Sequence, residues 1–386
     1  MLSGGAAGLF VRVTGMYGRR RDSVAFTVVV AVLGLVGALV MSLVLALSGA
    51  PGSLALAAVL AALPVGPLVG VFMWLDRYEP EPRSLLVAGL IWGAFVATGG
   101  ALVAQVITTA GGAQEETLLA VVAPVTEEIT KGAFLALLLW WRRHELDGII
   151  DGIVYAGMVG IGFAFTENIL YLAAAHGGTG ELPGGGAAVT AVFVMRCLVS
   201  PFAHPFFTTF IGIGVGLAIS SRNGAVRFLA SLGGLVVAIV LHGLWNASTL
   251  GGLDNFLLVY AALFFPVFVG VGAFAFYRRR SEHGLLEEAL LDAAARGLLP
   301  ATDIPWLVDL RARRHARLFA RHHGGPTAER AMREYQAAAI ELGYLHHRYL
   351  RGTAPSDFSE RGHEHVVALQ TIRPYISFPG QVVPTR

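Results

Sequence analysis

The chain has 386 residues, 55% of them hydrophobic and only 14% charged, with a mean hydropathy of +0.64. Soluble domains carry about 25% charged residues, so a soluble globular enzyme is excluded, and long unbroken apolar runs exclude a β-barrel, which needs short alternating segments. A net charge of +2 makes no case for nucleic acid, and the single cysteine, Cys197, rules out an internal disulfide or a cysteine-based zinc site.

Residues 1–23 carry Arg12, Arg19, Arg20 and Arg21 and are expected to be a cytoplasmic segment. The apolar run that follows, Val24–Ser48, is too long for a signal-peptide core and reads as a retained first span. A second span over Leu54–Leu75 contains Pro64 and Pro67. The loop Asp76-Arg-Tyr-Glu-Pro-Glu-Pro-Arg83 disfavours helix, and Ser84–Thr109 forms span three. Span four, Leu118–Trp141, holds Glu127, Glu128 and Lys131 and ends in Trp140-Trp141-Arg142-Arg143. Ile149–Ala174 is span five, and span six lies within Ala187–Ser220, a stretch longer than one crossing. Its first half contains Arg196, expected to snorkel to the outer interface, and Pro201 and Pro205, which make it either a gate for substrate and water or a static helix bent around the cavity. Phe228–Thr249 and Asn255–Tyr277 complete the set.

The basic residues orient these spans, because cytoplasmic loops are enriched in them. Loops 76–83, 142–147, 221–227 and 278–280 contain arginine, whereas 49–53, 110–116, 175–186 and 250–254 contain neither Lys nor Arg. The expectation is an all-α polytopic membrane bundle of about eight helices, N-in and C-in, located in the cell membrane. The intramembrane domain covers 24–277. Residues 281–386 form a cytoplasmic helical tail rich in Arg and His, with periodicity over 282–296, 304–322 and 328–350 and a helix start at Thr302-Asp303. The seven histidines beyond residue 300 read as solvated, and the tail is open to a cytoplasmic protein partner.

The chemistry concentrates in the spans. Lys131 is the only lysine in the chain, and on a helix it lies at i+4 from Glu127 and i+3 from Glu128, so it can pair with either. Charged groups in a membrane span face a protein interior or wet cavity and are functional by default. Counting about 1.5 Å per residue places Glu127 and Glu128 roughly 15 Å, and Glu167 and His242 roughly 10 Å, below the outer ends of their helices. His204 lies in the outer half of span six; it and His242 are the only histidines in predicted spans. Four helices thus bring Glu127, Glu128, Glu167, His204 and His242 together. Phe163 and Glu167, His204 and Thr208, and His242 and Asn246 are i,i+4 pairs on shared faces. With no Ser or Cys beside a base, the set points to activation of water. One version is a metal-free glutamate base with His and Asn246 as oxyanion donors. The other makes His204, His242 and Glu167 zinc ligands with a second Glu as base. A proton- or cation-coupled transporter and a non-catalytic membrane scaffold are the competing classes; no motif is duplicated between the halves, which counts against a transporter.

The ordered motifs Glu127-Glu128-x-x-Lys131, Phe163-x-x-x-Glu167-Asn168, His204-x-x-x-Thr208 and His242-x-x-x-Asn246, with Glu79-Pro-Glu-Pro82, resemble the PrsW family of intramembrane proteases over roughly residues 70–250. More distantly they are similar to CAAX prenyl endoproteases and their bacterial relatives. The resemblance implies that Glu127 activates water and that Glu128 pairs with Lys131. Where those relatives have a second-motif His, this chain has Glu167. It also implies a membrane-anchored protein substrate, such as an anti-sigma factor, met within the lipid bilayer.

Overall fold

The computed structural model describes residues 24–48, 51–178 and 184–380; the expectation for residues 1–23 lies outside them. The described chain divides into two compact units, one of residues 24–76 and 80–276, the other of 77–79 and 277–380.

The larger unit is entirely helical among the described residues. Its helices are α1 (Val24–Ser48), α2 (Pro51–Ala62), α3 (Val65–Leu75), α4 (Arg83–Ile91), α5 (Thr98–Ala110), α6 (Ala123–Trp141), α7 (Ile149–Gly177), α8 (Gly186–Phe193), α9 (Ala203–Ile219), α10 (Gly224–Leu250), α11 (Gly252–Val259) and the start of α12 (Phe265–Ala295). Four π-helical segments extend or link these helices: Trp92–Ala97, Leu118–Val122, Val194–Val199 and Tyr260–Phe264. Among the described residues, seven helical stretches are long and apolar enough to cross a membrane. The helix carrying Glu127, Glu128 and Lys131 is not among the seven, because three charges in five residues lower its apolarity. The chain is therefore a multi-pass integral membrane protein built as an all-α bundle. Pro64 separates α2 from α3, and the expected sixth span is broken: helix ends at Val199 and restarts at Ala203.

Helix α7 is the centre. Its apolar window is 94% buried, against 22% or less for α1, α10 and the stretch Gly186–Ile219, so α7 is enclosed by protein while the others present leucine and valine outward. Glycine lets backbones touch it. A Cβ on Gly212 of α9 would sit 2.1 Å from Gly152 O of α7, and one on Gly93 would sit 1.9 Å from Val159 O. No other residue fits at such contacts. The π turns leave carbonyls to side chains: Thr98 donates to Gly93 O at 2.9 Å and Ser200 to Met195 O at 2.7 Å.

The smaller unit has its own core of Leu286, Leu290, Leu307, Tyr335, Leu342, Leu369 and Phe378. The expected start at Thr302-Asp303 is a 3₁₀ turn, Ala301–Asp303, that leads into one short helix, Pro305–Val308, while the long helix α13 (Leu310–Leu350) is capped by Asp309, which accepts from Ala312 N at 2.7 Å. A kink at Gly325, whose φ of +71° only glycine adopts readily, precedes Pro326 and divides α13 where the periodicity breaks. Asp303 is fully buried and satisfied by Tyr335 Oη at 2.6 Å and by two bonds from Arg373 at 2.6 and 3.0 Å. It precedes α14 (Phe358–Ile372). His346 and His365 are buried rather than solvated; His346 bonds Asp292 at 2.6 Å.

Candidate active site

Glu127, Glu128 and Lys131 lie on the buried stripe of α6, with Lys131 and Glu128 fully enclosed. Lys131 Nζ donates to Glu128 Oε1 at 2.8 Å, to Glu127 Oε2 at 3.4 Å and to His204 Nδ1 at 3.1 Å. All three of its N–H bonds are thus used, and its head lies 3.8 Å from the centroid of Phe163, a cation–π contact. Of the two possible partners on α6, Glu128 is the closer.

Glu128 is held on every side: His242 Nδ1 approaches Oε1 at 2.9 Å and Thr208 Oγ1 donates to Oε2 at 3.2 Å. The single hydroxyl proton of Thr208 is shared between Glu128 and His204 O, one turn earlier at 2.9 Å. His204 Nε2 lies 2.5 Å from Glu167 Oε2, so with Lys131 donating to Nδ1 the proton on this ring belongs on Nε2. Phe207 stacks on the His242 ring at 4.8 Å and Phe163 tilts against His204 at 5.0 Å. Both imidazoles are therefore clamped between a carboxylate and an aromatic face.

Glu127 differs. Its nearest contacts are Gln105 Nε2 and Lys131 Nζ, both at 3.4 Å, and His242 Nε2 at 3.7 Å. It is buried yet loosely held. One ligand atom each from Glu127, His204 and His242 fall within 4.8 Å of one another. The carboxylate that joins the two histidines in such a group is thus Glu127; Glu167 is engaged elsewhere.

Glu167 pairs with Arg196 Nη2, whose Nε donates to Asn168 Oδ1 at 2.8 Å. Arg196 therefore turns inward to this site rather than outward to the interface. Its inward turn follows from the π segment Val194–Val199, which a sequence reading as regular α-helix does not register. Glu167, Asn168, Arg196, His204 and Asn246 line a cleft enclosing about 400 Å³, its mouth included, beside the helix break at Ser200–Phe202. Asn246 Nδ2 donates to Leu119 O, in another π segment, at 2.9 Å. Gln105 was not among the residues that sequence pattern singles out, although an amide within an apolar span is itself a signal.

Three carboxylates thus face two strong cations. The network retains one unbalanced negative charge when all are ionised, and an added cation or proton would balance it. The donor chemistry, one carboxylate and two imidazoles with Glu128 behind His242 and Glu167 behind His204, is of the zinc type, and a divalent metal would take the place of the Lys131 bond at His204 Nδ1.

A multi-pass bundle that gathers three carboxylates, two imidazoles and an ammonium beside one cleft has the groups that a membrane-embedded hydrolase needs. Comparison narrows the class. The description "PrsW family intramembrane metalloprotease" matches residues 81–271. The chain is 29% identical over 187 residues to Protease PrsW of Geobacillus kaustophilus, covering 46% of this chain and 73% of that one. It is likewise 29% identical over 206 residues to Protease PrsW of Bacillus subtilis, covering 52% and 85%. Protease PrsW of Clostridioides difficile is 26% identical over 194 residues, covering 48% and 76%. No solved structure matches the chain. Residues 81–271 belong to the PrsW family, and the protein is an intramembrane protease.

Proposed function

We propose that the chain hydrolyses peptide bonds of membrane-anchored proteins within the bilayer, an anti-sigma factor being the substrate class the family resemblance implies, with Glu127 as the group that handles water. The observation that carries this is the contrast among the carboxylates. Glu128 is immobilised by Lys131, His242 and Thr208, and Glu167 by Arg196 and His204, whereas no polar contact of the Glu127 carboxylate is closer than 3.4 Å. Glu127, through Oε2, with His204 and His242 would hold the metal, zinc being the reading that the donor set favours. Bound there, zinc would polarise the scissile carbonyl and acidify a water. Glu127 Oε1, beside Gln105, accepts the proton that the water gives up and returns it to the leaving amine. Glu128 and Glu167 position His242 and His204 by holding the ring nitrogen opposite the site. Asn246, whose amide is already committed to Leu119 O, acts as a wall of the cleft.

We propose also that both termini face the cytoplasm, as the arginine-bearing loops require, which places the smaller unit in that compartment. The test is cleavage of a labelled single-span peptide in vesicles, with metal content measured on the same preparations. Wild type should cut and carry about one zinc per chain. Glu127→Gln should lose at least about a hundredfold in turnover, and His242→Ala should lose the metal. A Glu127→Gln variant that cuts at the wild-type rate would remove Glu127 from the chemistry.

A further inference from the structure

Arg196 is more elaborately held than neutralising Glu167 requires. Its Nε is committed to Asn168, its Nη2 to Glu167, and its plane lies 3.9 Å from the Tyr171 ring centroid. Nη1 makes no bond among the described residues, and the side chain keeps 25% exposure while forming the wall of the cleft that also holds His204 and Asn246. A rigid, charge-assisted donor with two free N–H bonds is thus open beside the catalytic histidine. It stands one turn before the helix break at Ser200–Phe202, and Pro201 in that break has no N–H of its own to offer.

A transmembrane helix must be unwound before it is cut, and its freed carbonyls then lack partners in hydrocarbon, at several kcal/mol apiece. Something in the site has to receive them. The charge of Arg196 is already balanced by Glu167, which disfavours a second carboxylate and favours a neutral acceptor. We propose that Arg196 is the substrate-binding residue that takes the main-chain carbonyls of the unwound segment beside the scissile bond, with Glu167, Asn168 and Tyr171 presenting its free edge. This rests on the protease reading above.

The experiment uses the full chain in vesicles with a leucine-rich single-span peptide of about 25 residues, weakened by a central Gly-Ser pair and carrying a donor and quencher. Arg196→Lys keeps a cation for Glu167 but loses the fork. Its KM should rise on the order of tenfold, equivalent to about 1.4 kcal/mol, with kcat within about twofold of wild type. Peptide binding measured in a Glu127→Gln background should weaken by the same factor when Arg196→Lys is added. Should Arg196→Lys fold poorly, Arg196→Gln combined with Glu167→Gln removes both charges and is read by binding alone in that background. Unchanged binding in either variant, or a fall in kcat with KM intact, overturns the assignment. So does tighter binding when an Asp is placed beside the cut, which would make Arg196 a carboxylate receptor. A wild type that neither binds nor cuts the peptide sinks the protease reading and this inference with it; a wild type that cuts while Arg196→Lys matches it sinks the inference alone.

Discussion

Replacing Lys131 with Met removes the one cation in direct contact with both Glu127 and Glu128 while keeping the length of the side chain. Lys131 and Glu128 are both completely buried and 2.8 Å apart, so water cannot substitute for the missing ammonium. Removing one member of a buried pair costs about 3–5 kcal/mol, because the other is left charged and unpaired. Here two carboxylates and the Nδ1 of His204 lose a donor together, which puts the expected cost at the upper end. A change of 1 kcal/mol shifts the unfolding midpoint by about 2–4 °C in a domain of 150–250 residues, so Lys131→Met should lower it by roughly 10–20 °C. Tryptophan fluorescence on heating in detergent reads this directly. Lys131→Met combined with Glu128→Gln should recover part of the loss, since it leaves neither charge of the closer pair behind while Glu127 still lacks its cation. A single variant melting within about 2 °C of wild type, or a double variant no better than the single, would refute the claim that this pair holds α6 in place. Because Lys131 is the only lysine, an amine-acylating reagent gives a second reading: it should modify that residue only once the protein unfolds.

Two further outcomes follow from the packing and from one buried acid. Gly212→Ala would press a Cβ to 2.1 Å from Gly152 O and should cost about 1–3 kcal/mol with falling yield. Gly270→Ala, with nothing within 4 Å, should be silent in the same melting assay. Asp76, just beyond the stretch ending at Leu75, is pushed up by burial to about 8, with Asp151 adding to the effect and the Glu81 N–H opposing it. A carboxyl raised in the fold binds its proton more tightly there than in the unfolded chain. Its contribution is therefore greatest at acid pH and is lost as pH rises through about 8. Asp76→Asn should stabilise the protein at pH 8 and flatten the slope between about pH 5 and 8; an unchanged slope in unfolding midpoints would show that another group sets it.

The helical bundle and the convergence of Glu127, Glu128, Glu167, His204 and His242 were legible because each is an anomaly in an apolar run, and the cost of burying charge makes anomalies informative. Partner choice was less legible. Spacing let Lys131 reach either glutamate, but only the approach of α9 and α10 commits Glu128 to Thr208 and His242 and leaves Glu127 slack. The inward turn of Arg196 was hidden by a π segment, since one extra residue per turn rotates a side chain without leaving a compositional mark. The broken sixth span was only half visible: Pro201 announces a disruption, but not whether the helix bends or stops. In the smaller unit, Asp309 rather than Asp303 caps the long helix because Asp303 is taken by Tyr335 and Arg373, residues distant in sequence.

The glycine contacts of α7 bear on how the enzyme can move. Side chains hop between rotamers, but bare backbone pressed on bare backbone has nothing to rearrange. With Gly152 against Gly212 and Gly160 against Pro205, α9 is bolted to α7, and His204 rides on that bolt as a fixed post. The half-helix α8 and its π extension meet α7 differently, through Val189 and Cys197 on Ile169 and Leu172, and through Arg196 on Glu167, all of them side chains that can let go and re-form. The side of the site that can give way is therefore that half-helix, and the side that cannot is the backbone contact of α7 with α9 that carries His204.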